Sequence, residues 1–240
     1  MAGLARGFVE CLSAVTFAGV PDSWTPVVDP EAVDEVVASS AALRDLRLVA
    51  PWLETGPTNT ESDQVWMATA RPSWLPATHP RPQRHHFKSP AMLDDQELLR
   101  RPINGGLYTS SASRGYVGMW SSFVALISRD VLFPKPWTAW RLSMSHPPAV
   151  AQITGAQDWA ALVEEHGVVV GDFRCPDWRS LTSEYDAVHF TPAAVCAIDG
   201  LALRSSAGII RPMCWSVEST LWLHWCFDSV ELIADFAADE

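Results

Sequence analysis

The chain is short of positive charge: 17 Lys and Arg stand against 28 Asp and Glu, a formal net charge of −11 over 240 residues. A protein held to duplex DNA by phosphate neutralisation needs clustered cations, so that class is disfavoured, although a local basic groove would restore it. Cysteine is sparse and has no pairing pattern. The five residues (Cys11, Cys175, Cys196, Cys214, Cys226) are odd in number and contain no C-x-x-C, which specifies neither a disulfide framework nor a zinc site and fits a reducing cytoplasm. No uninterrupted apolar run nears the roughly 18 residues of a membrane span, so no membrane partner is expected. The opening MAGLARGFVECLSAVTFAGV has the Arg and the apolar stretch of a signal peptide, but Glu10 interrupts it and no small-x-small site follows.

Several catalytic signatures are also missing. There is no G-x-x-x-x-G-K-[ST] and no G-x-G-x-x-G after a strand, which excludes the usual phosphate cradles. No H-x-x-x-H spacing occurs, and the adjacent His85 and His86 diverge if the chain is extended, so no metal is expected. Without a G-x-S-x-G elbow, a hydrolase of that type is unsupported.

What is present is an ordinary globular composition, 48% apolar with 12 Trp. A chain of this length buries roughly 70% of its unfolded surface, enough for one large domain plus an extension. Apolar residues at helical spacing mark Ala2 to Gly19 and Pro30 to Leu53, the latter opened by Asp29 as cap and Pro30 as first helical residue. The polar turn GPTNTESD (56–63) is the best boundary, giving a helical extension over 1–60 and a domain over 61–240. Residues 71–102 are rich in Pro and His and read as a long loop. Beyond them, TAWRLSMS, AVAQIT and YDAVHFT read as strands, and GAQDWAALVEEHG as a helix with a Gly stop. Thr191 and Pro192 open another helix, and CWSVESTLWLHWCFDSVELIADF holds two strands, for an α+β fold.

Two strands have unusual content. In GGLYTSSAS, hydroxyls at Tyr108, Thr109, Ser110, Ser111 and Ser113 follow Gly105 and Gly106, setting donors beside a backbone that a flat ligand can approach. In CWSVESTLWLHW the single carboxylate Glu218 lies among Trp215, Val217, Leu221 and Trp222. Such an acid either faces solvent on a sheet edge or is placed to work; on pattern alone the edge is favoured, because exposed Glu is the commoner case. Most Trp residues are expected to fill the core, with Trp66 and Trp215 set apart because they flank these strands.

The segment RPINGGLYTSSASRGYVGMW resembles the element that opens the nicotinamide pocket in ADP-ribosyltransferases of the histidine–tyrosine–glutamate branch, which includes the poly-ADP-ribose polymerases. It is closer still to a group of phage and bacterial proteins with K-P-x-G-G-L-W-x-S, whose later strands are similar to YDAVHFT (185–191) and WSVESTLWL (215–223) in the same order. The resemblance spans 101–223. It implies a split β-sheet core with NAD as substrate, Tyr108 against nicotinamide or its ribose, Ser110 bracing the pocket and Glu218 stabilising an oxocarbenium-like transition state. Gly106, Thr109, Thr69, Arg71 and Trp215 complete the expected NAD-binding set. One departure stands out: VWMATARP (65–72) puts Met67 where the family carries the His or Arg that grips the adenosine ribose and leaves Thr69 at the hydroxyl position, so either Arg71, His86 or another group substitutes or the pocket no longer binds NAD in the usual way. The same resemblance leaves open a silent binding module, NAD hydrolysis and RNA 2′-phosphate transfer, and it names no acceptor.

Overall fold

The computed structural model describes residues 27–58, 63–69, 81–93, 102, 105–113, 117–127, 137–213 and 215–236. The helical stretch expected over Ala2 to Gly19 and the residue Arg71 lie outside them. The fold begins with strand β1 (Val27–Val28), helices α1 (Pro30–Ala38), α2 (Ala41–Val49) and α3 (Trp52–Thr55), and a 3-10 turn over Gly56–Thr58. Strand β2 (Asp63–Thr69), 3-10 turns over Arg84–His86 and Pro90–Met92, β3 (Leu107–Ala112) and α4 (Met119–Ile127) follow. Next come β4 (Trp137–Ser143), β5 (Val150–Ile153), α5 (Ala156–His166), β6 (Gly167–Val170), β7 (Phe173–Pro176) and α6 (Trp178–Leu181). The chain continues with β8 (Ala187–Phe190), α7 (Pro192–Ile198), β9 (Ala202–Ser205), β10 (Gly208–Ile210), β11 (Ser219–Trp222) and β12 (Ser229–Phe236).

Two mixed sheets make this an α+β protein. The larger runs β12-β4-β2-β3-β11-β8-β5, and the smaller β1-β9-β10-β7-β6. In the larger sheet every described pairing is antiparallel except β5 with β8, whose connection passes through α5. Residues 27–58 share the main core with the rest of the chain: β1 pairs with β9, α1 packs on α5 and α7, and Leu43, Leu46 and Leu53 are buried in the main apolar cluster. Trp159, Trp178, Trp215 and Trp222 are fully enclosed, as large aromatics in a core should be. Trp225, in contrast to its expected strand position, lies in the turn between β11 and β12.

Local chemistry explains most helix starts. Asp29 accepts the Glu31 N–H at 3.0 Å ahead of Pro30, and Thr191 accepts the Ala194 N–H at 3.2 Å ahead of Pro192. Helix α5 is different, because its cap residue is Gly155 and offers no side chain. Asp34 of α1 supplies the acceptor instead, taking the N–H groups of Ala156 at 2.6 Å and Gln157 at 2.9 Å. A Cβ at position 155 would lie 2.5 Å from that carboxylate, so glycine is what lets the two helices meet. Asp34→Ala removes a cap and a favourable charge at a helix N-terminus together; it should lower stability by about 1–2 kcal/mol in urea unfolding.

Candidate functional site

The register of the larger sheet assembles the site. Thr109 of β3 faces Thr220 of β11, Thr220 faces His189 of β8, and His189 faces Gln152 of β5. Directly opposed residues share a face, so four strands contribute a continuous polar row. Gln64 of β2 extends it, donating to Ser111 Oγ at 3.2 Å and accepting from Thr109 Oγ1 at 2.6 Å, while Trp222 Nε1 donates to Thr109 Oγ1 at 2.8 Å. Gln64, Thr109, Thr220 and His189 are all buried, and burial is tolerable because each is hydrogen-bonded.

The row is roofed by α3 and the turn after it. Leu53 O lies 3.2 Å from His189 Nε2, and Gln152 Nε2 donates to Glu54 O. A carbonyl only accepts, so Nε2 carries the imidazole proton, and Nδ1 accepts from the Thr220 hydroxyl at 2.9 Å. Gly56 has φ +55°, and a Cβ there would sit 2.5 Å from the His189 ring. The turn therefore needs glycine both for its backbone angle and for this close approach.

Glu218 sits immediately before β11, where the ladder with β3 stops. Its carboxylate takes over as acceptor: the Ser111 N–H donates to Oε1 at 3.1 Å and Oε2 at 3.2 Å, and Ser110 Oγ donates to Oε2 at 2.6 Å. Ser110 is itself placed by α4, whose Met119 N–H donates to Ser110 Oγ at 3.0 Å. Gly118 allows the approach, since a Cβ there would lie 2.8 Å from the Ser110 side chain. Strand β11 is internal, between β3 and β8, and Glu218 is 0% exposed. The solvated-edge expectation for this residue is therefore corrected: a partner strand covers each side.

Burial dominates the electrostatics. Desolvation pushes the Glu218 carboxyl up to about 7, against the lowering effect of its Ser110 and Ser111 hydrogen bonds, and it holds His189 down to about 4. His189 Nδ1 lies 3.7 Å from Glu218 Oε1, close enough for an ion pair, but between those two values both groups are neutral and no ion pair forms. The linkage has a definite sign. A carboxyl raised in the folded state stabilises the fold below its ordinary value of 4.5, and that contribution is lost as pH rises through 7. The stability of the wild type relative to Glu218→Gln should thus fall by roughly 3 kcal/mol between pH 4.5 and pH 8, as read by urea titration across that range.

The other expected site residues are placed unevenly. Tyr108 is half-buried, its ring centroid 5.8 Å from that of Trp215 and its hydroxyl donating to Pro102 O at 3.3 Å. It alternates with Thr109 along β3 and so points to the face opposite the polar row. Trp215 is 0% exposed, 3.8 Å from Phe190 between ring centroids, with its Nε1 donating to Ser219 Oγ, so its surroundings are those of a core residue. Gly106, at φ +77°, lets the chain press against Leu221 and the Trp222 carbonyl, which accounts for it without a ligand. Met67 is 7% exposed in the main core, Trp66 packs against the cluster of Leu142, Ala187, Trp222 and Phe227, and Thr69 ends β2. His85 and His86 do not diverge: the 3-10 turn brings their ring centroids to 3.9 Å. No group of three or more His, Cys, Asp or Glu fit for a metal occurs among the described residues. No helix among them is long and apolar enough to cross a membrane.

Sequence reasoning passed over His189, Gln64 and Thr220. The first is the single polar residue of β8 (AVHF), inside the YDAVHFT element, which is the signal that would have found it; Gln64 and Thr220 stand next to the polar Asp63 and Ser219 and carry no such signal. Compared with family models, curated proteins and solved structures, the chain matches none of them.

Proposed function

We propose that the chain is an NAD-dependent ADP-ribosyltransferase, moving ADP-ribose from NAD to an acceptor with release of nicotinamide. One observation carries the reading: the segments holding Tyr108, His189 and Glu218 come together on adjacent strands β3, β8 and β11, with the Glu218 carboxylate beside His189 and tied to β3 through Ser110 and Ser111, and the Tyr108 ring on the opposite face of that strand. Cleavage of the nicotinamide–ribose C–N bond sends its electron pair to the ring nitrogen, so nicotinamide leaves neutral and needs no strong acid. Positive charge grows at the anomeric carbon, and an ionised carboxylate fixed in a low-dielectric setting stabilises it. A carboxyl titrating near 7 supplies that charge in part at neutral pH and fully above it. The bond passes to an acceptor nucleophile, or to water in simple NAD hydrolysis.

A second reading, a silent module of the same architecture, is favoured by the complete burial of Glu218 and by Met67 in the core. Calorimetric titration separates the two. Heat on addition of millimolar NAD, with competition by nicotinamide, is the expected result for the enzyme; absence of heat with both ligands favours the module.

A further inference from the structure

The charge of the chain is segregated. Residues 64–157 carry ten Lys and Arg against four Asp and Glu, a net of +6, and the remainder carries seven against twenty-four, a net of −17. Between Asp63 and Asp94 there is no acidic residue at all. Within this stretch Arg81, Arg84, His85, His86 and Lys88 are all exposed.

These cations stand on anchored backbone. Arg81 donates to Val230 O at 3.1 Å and lies 5.5 Å over the Trp140 ring, Phe87 meets Trp225 edge-on at 6.1 Å, and Ser89 Oγ donates to Leu223 O at 3.0 Å. The Gly106 N–H donates to Lys88 O at 2.7 Å. The segment is pinned to β4, β12 and the ends of β3 and β11, in part by the Arg81 guanidinium itself, while Arg84, His85, His86 and Lys88 are exposed. Phe87 and Trp225 are only half-buried, so ring surface is interleaved with the cations. In a chain of net charge −11, cations gathered in one anchored segment with no acidic residue among them form a local surface of the sign a polyanion recognises.

We infer that this surface binds single-stranded nucleic acid, with Arg81, Arg84 and Lys88 following the phosphates and the rings of Phe87, Trp225 and the His85–His86 pair offering stacking surface to unpaired bases. The inference rests on charge and rings remote from Glu218 in sequence, and it holds whether or not NAD is cleaved. The experiment is fluorescence anisotropy of the full chain without NAD, using fluorescein-labelled single-stranded DNA and RNA of about 20 nucleotides, the matching DNA duplex, and anionic phosphatidylserine vesicles as competitor. Expected are tighter binding of single strands than of duplex and a loss of affinity of about tenfold or more in Arg84→Glu/Lys88→Glu. The salt slope of that double variant should be shallower by about 1.4, for two phosphate contacts. Arg204→Glu, an exposed reversal on β9 of the other sheet, should change nothing. The DNA and RNA arms identify which polymer is preferred. No binding, equal binding by the double variant, equal binding of duplex, or displacement by vesicles at matched charge would each overturn the inference.

Discussion

Glu218→Gln should abolish nicotinamide release, lowering it by about 100-fold or more, while leaving the protein folded and more stable above pH 7. The amide keeps the shape of the carboxyl, can still accept the Ser111 N–H, and can donate to Ser110 Oγ, which already accepts from Met119. What disappears is the charge. In the wild type, deprotonation above about pH 7 leaves a buried anion whose hydrogen bonds from Ser110 and Ser111 do not offset its desolvation, and the variant escapes that cost. Loss of turnover together with a raised urea midpoint at pH 8 separates a working carboxylate from a structural one. A carboxylate serving only as a brace gives the same change in stability without any turnover to lose.

Gly56→Ala should be among the most destabilising single-atom additions in the chain, by about 2–4 kcal/mol. Two penalties combine: a Cβ in a backbone region near φ +55°, and a contact 2.5 Å from the His189 ring, which is itself 0% exposed and bonded at both nitrogens. The ring has no room to retreat, because Thr220 and Leu53 hold its two ends. Urea unfolding at pH 7 measures the effect. An effect below about 0.5 kcal/mol would show that the turn lifts freely off the polar row, and would make the roof above His189 a loose one.

The helices of this protein are largely legible from local rules. Asp29 with Pro30 and Thr191 with Pro192 start helices where capping chemistry says they should, and the Gly at the end of GAQDWAALVEEHG stops α5. The capping of α5 by Asp34 is not local, since residues 34 and 156 meet only after α1 has packed on α5. The same distinction divides the site. That β3, β8 and β11 are strands follows from their own residues, but which polar groups share a face depends on register between distant strands, 111 residues apart at Thr109 and Thr220 and 47 apart at Gln64 and Ser111. Glu218 shows the consequence. Its neighbours in sequence are compatible with an exposed edge, and only the order β3-β11-β8 makes it an interior residue whose proton is held to about pH 7. Residues 1–60 were separable by pattern alone, yet residues 27–58 complete one sheet and cover the polar row, because an amphipathic stretch does not reveal which surface it will bury against.

The central claim is that Glu218 lies in a site that breaks the nicotinamide–ribose bond of NAD. Chromatographic measurement of nicotinamide released from NAD by the full wild-type chain at pH 8, where the carboxylate is ionised, bears on it most directly. Release well above the spontaneous rate in buffer, eliminated in Glu218→Gln, is the predicted result. Release no faster than in buffer at saturating NAD would contradict the claim and leave Glu218 as the buried cap of the β3 ladder.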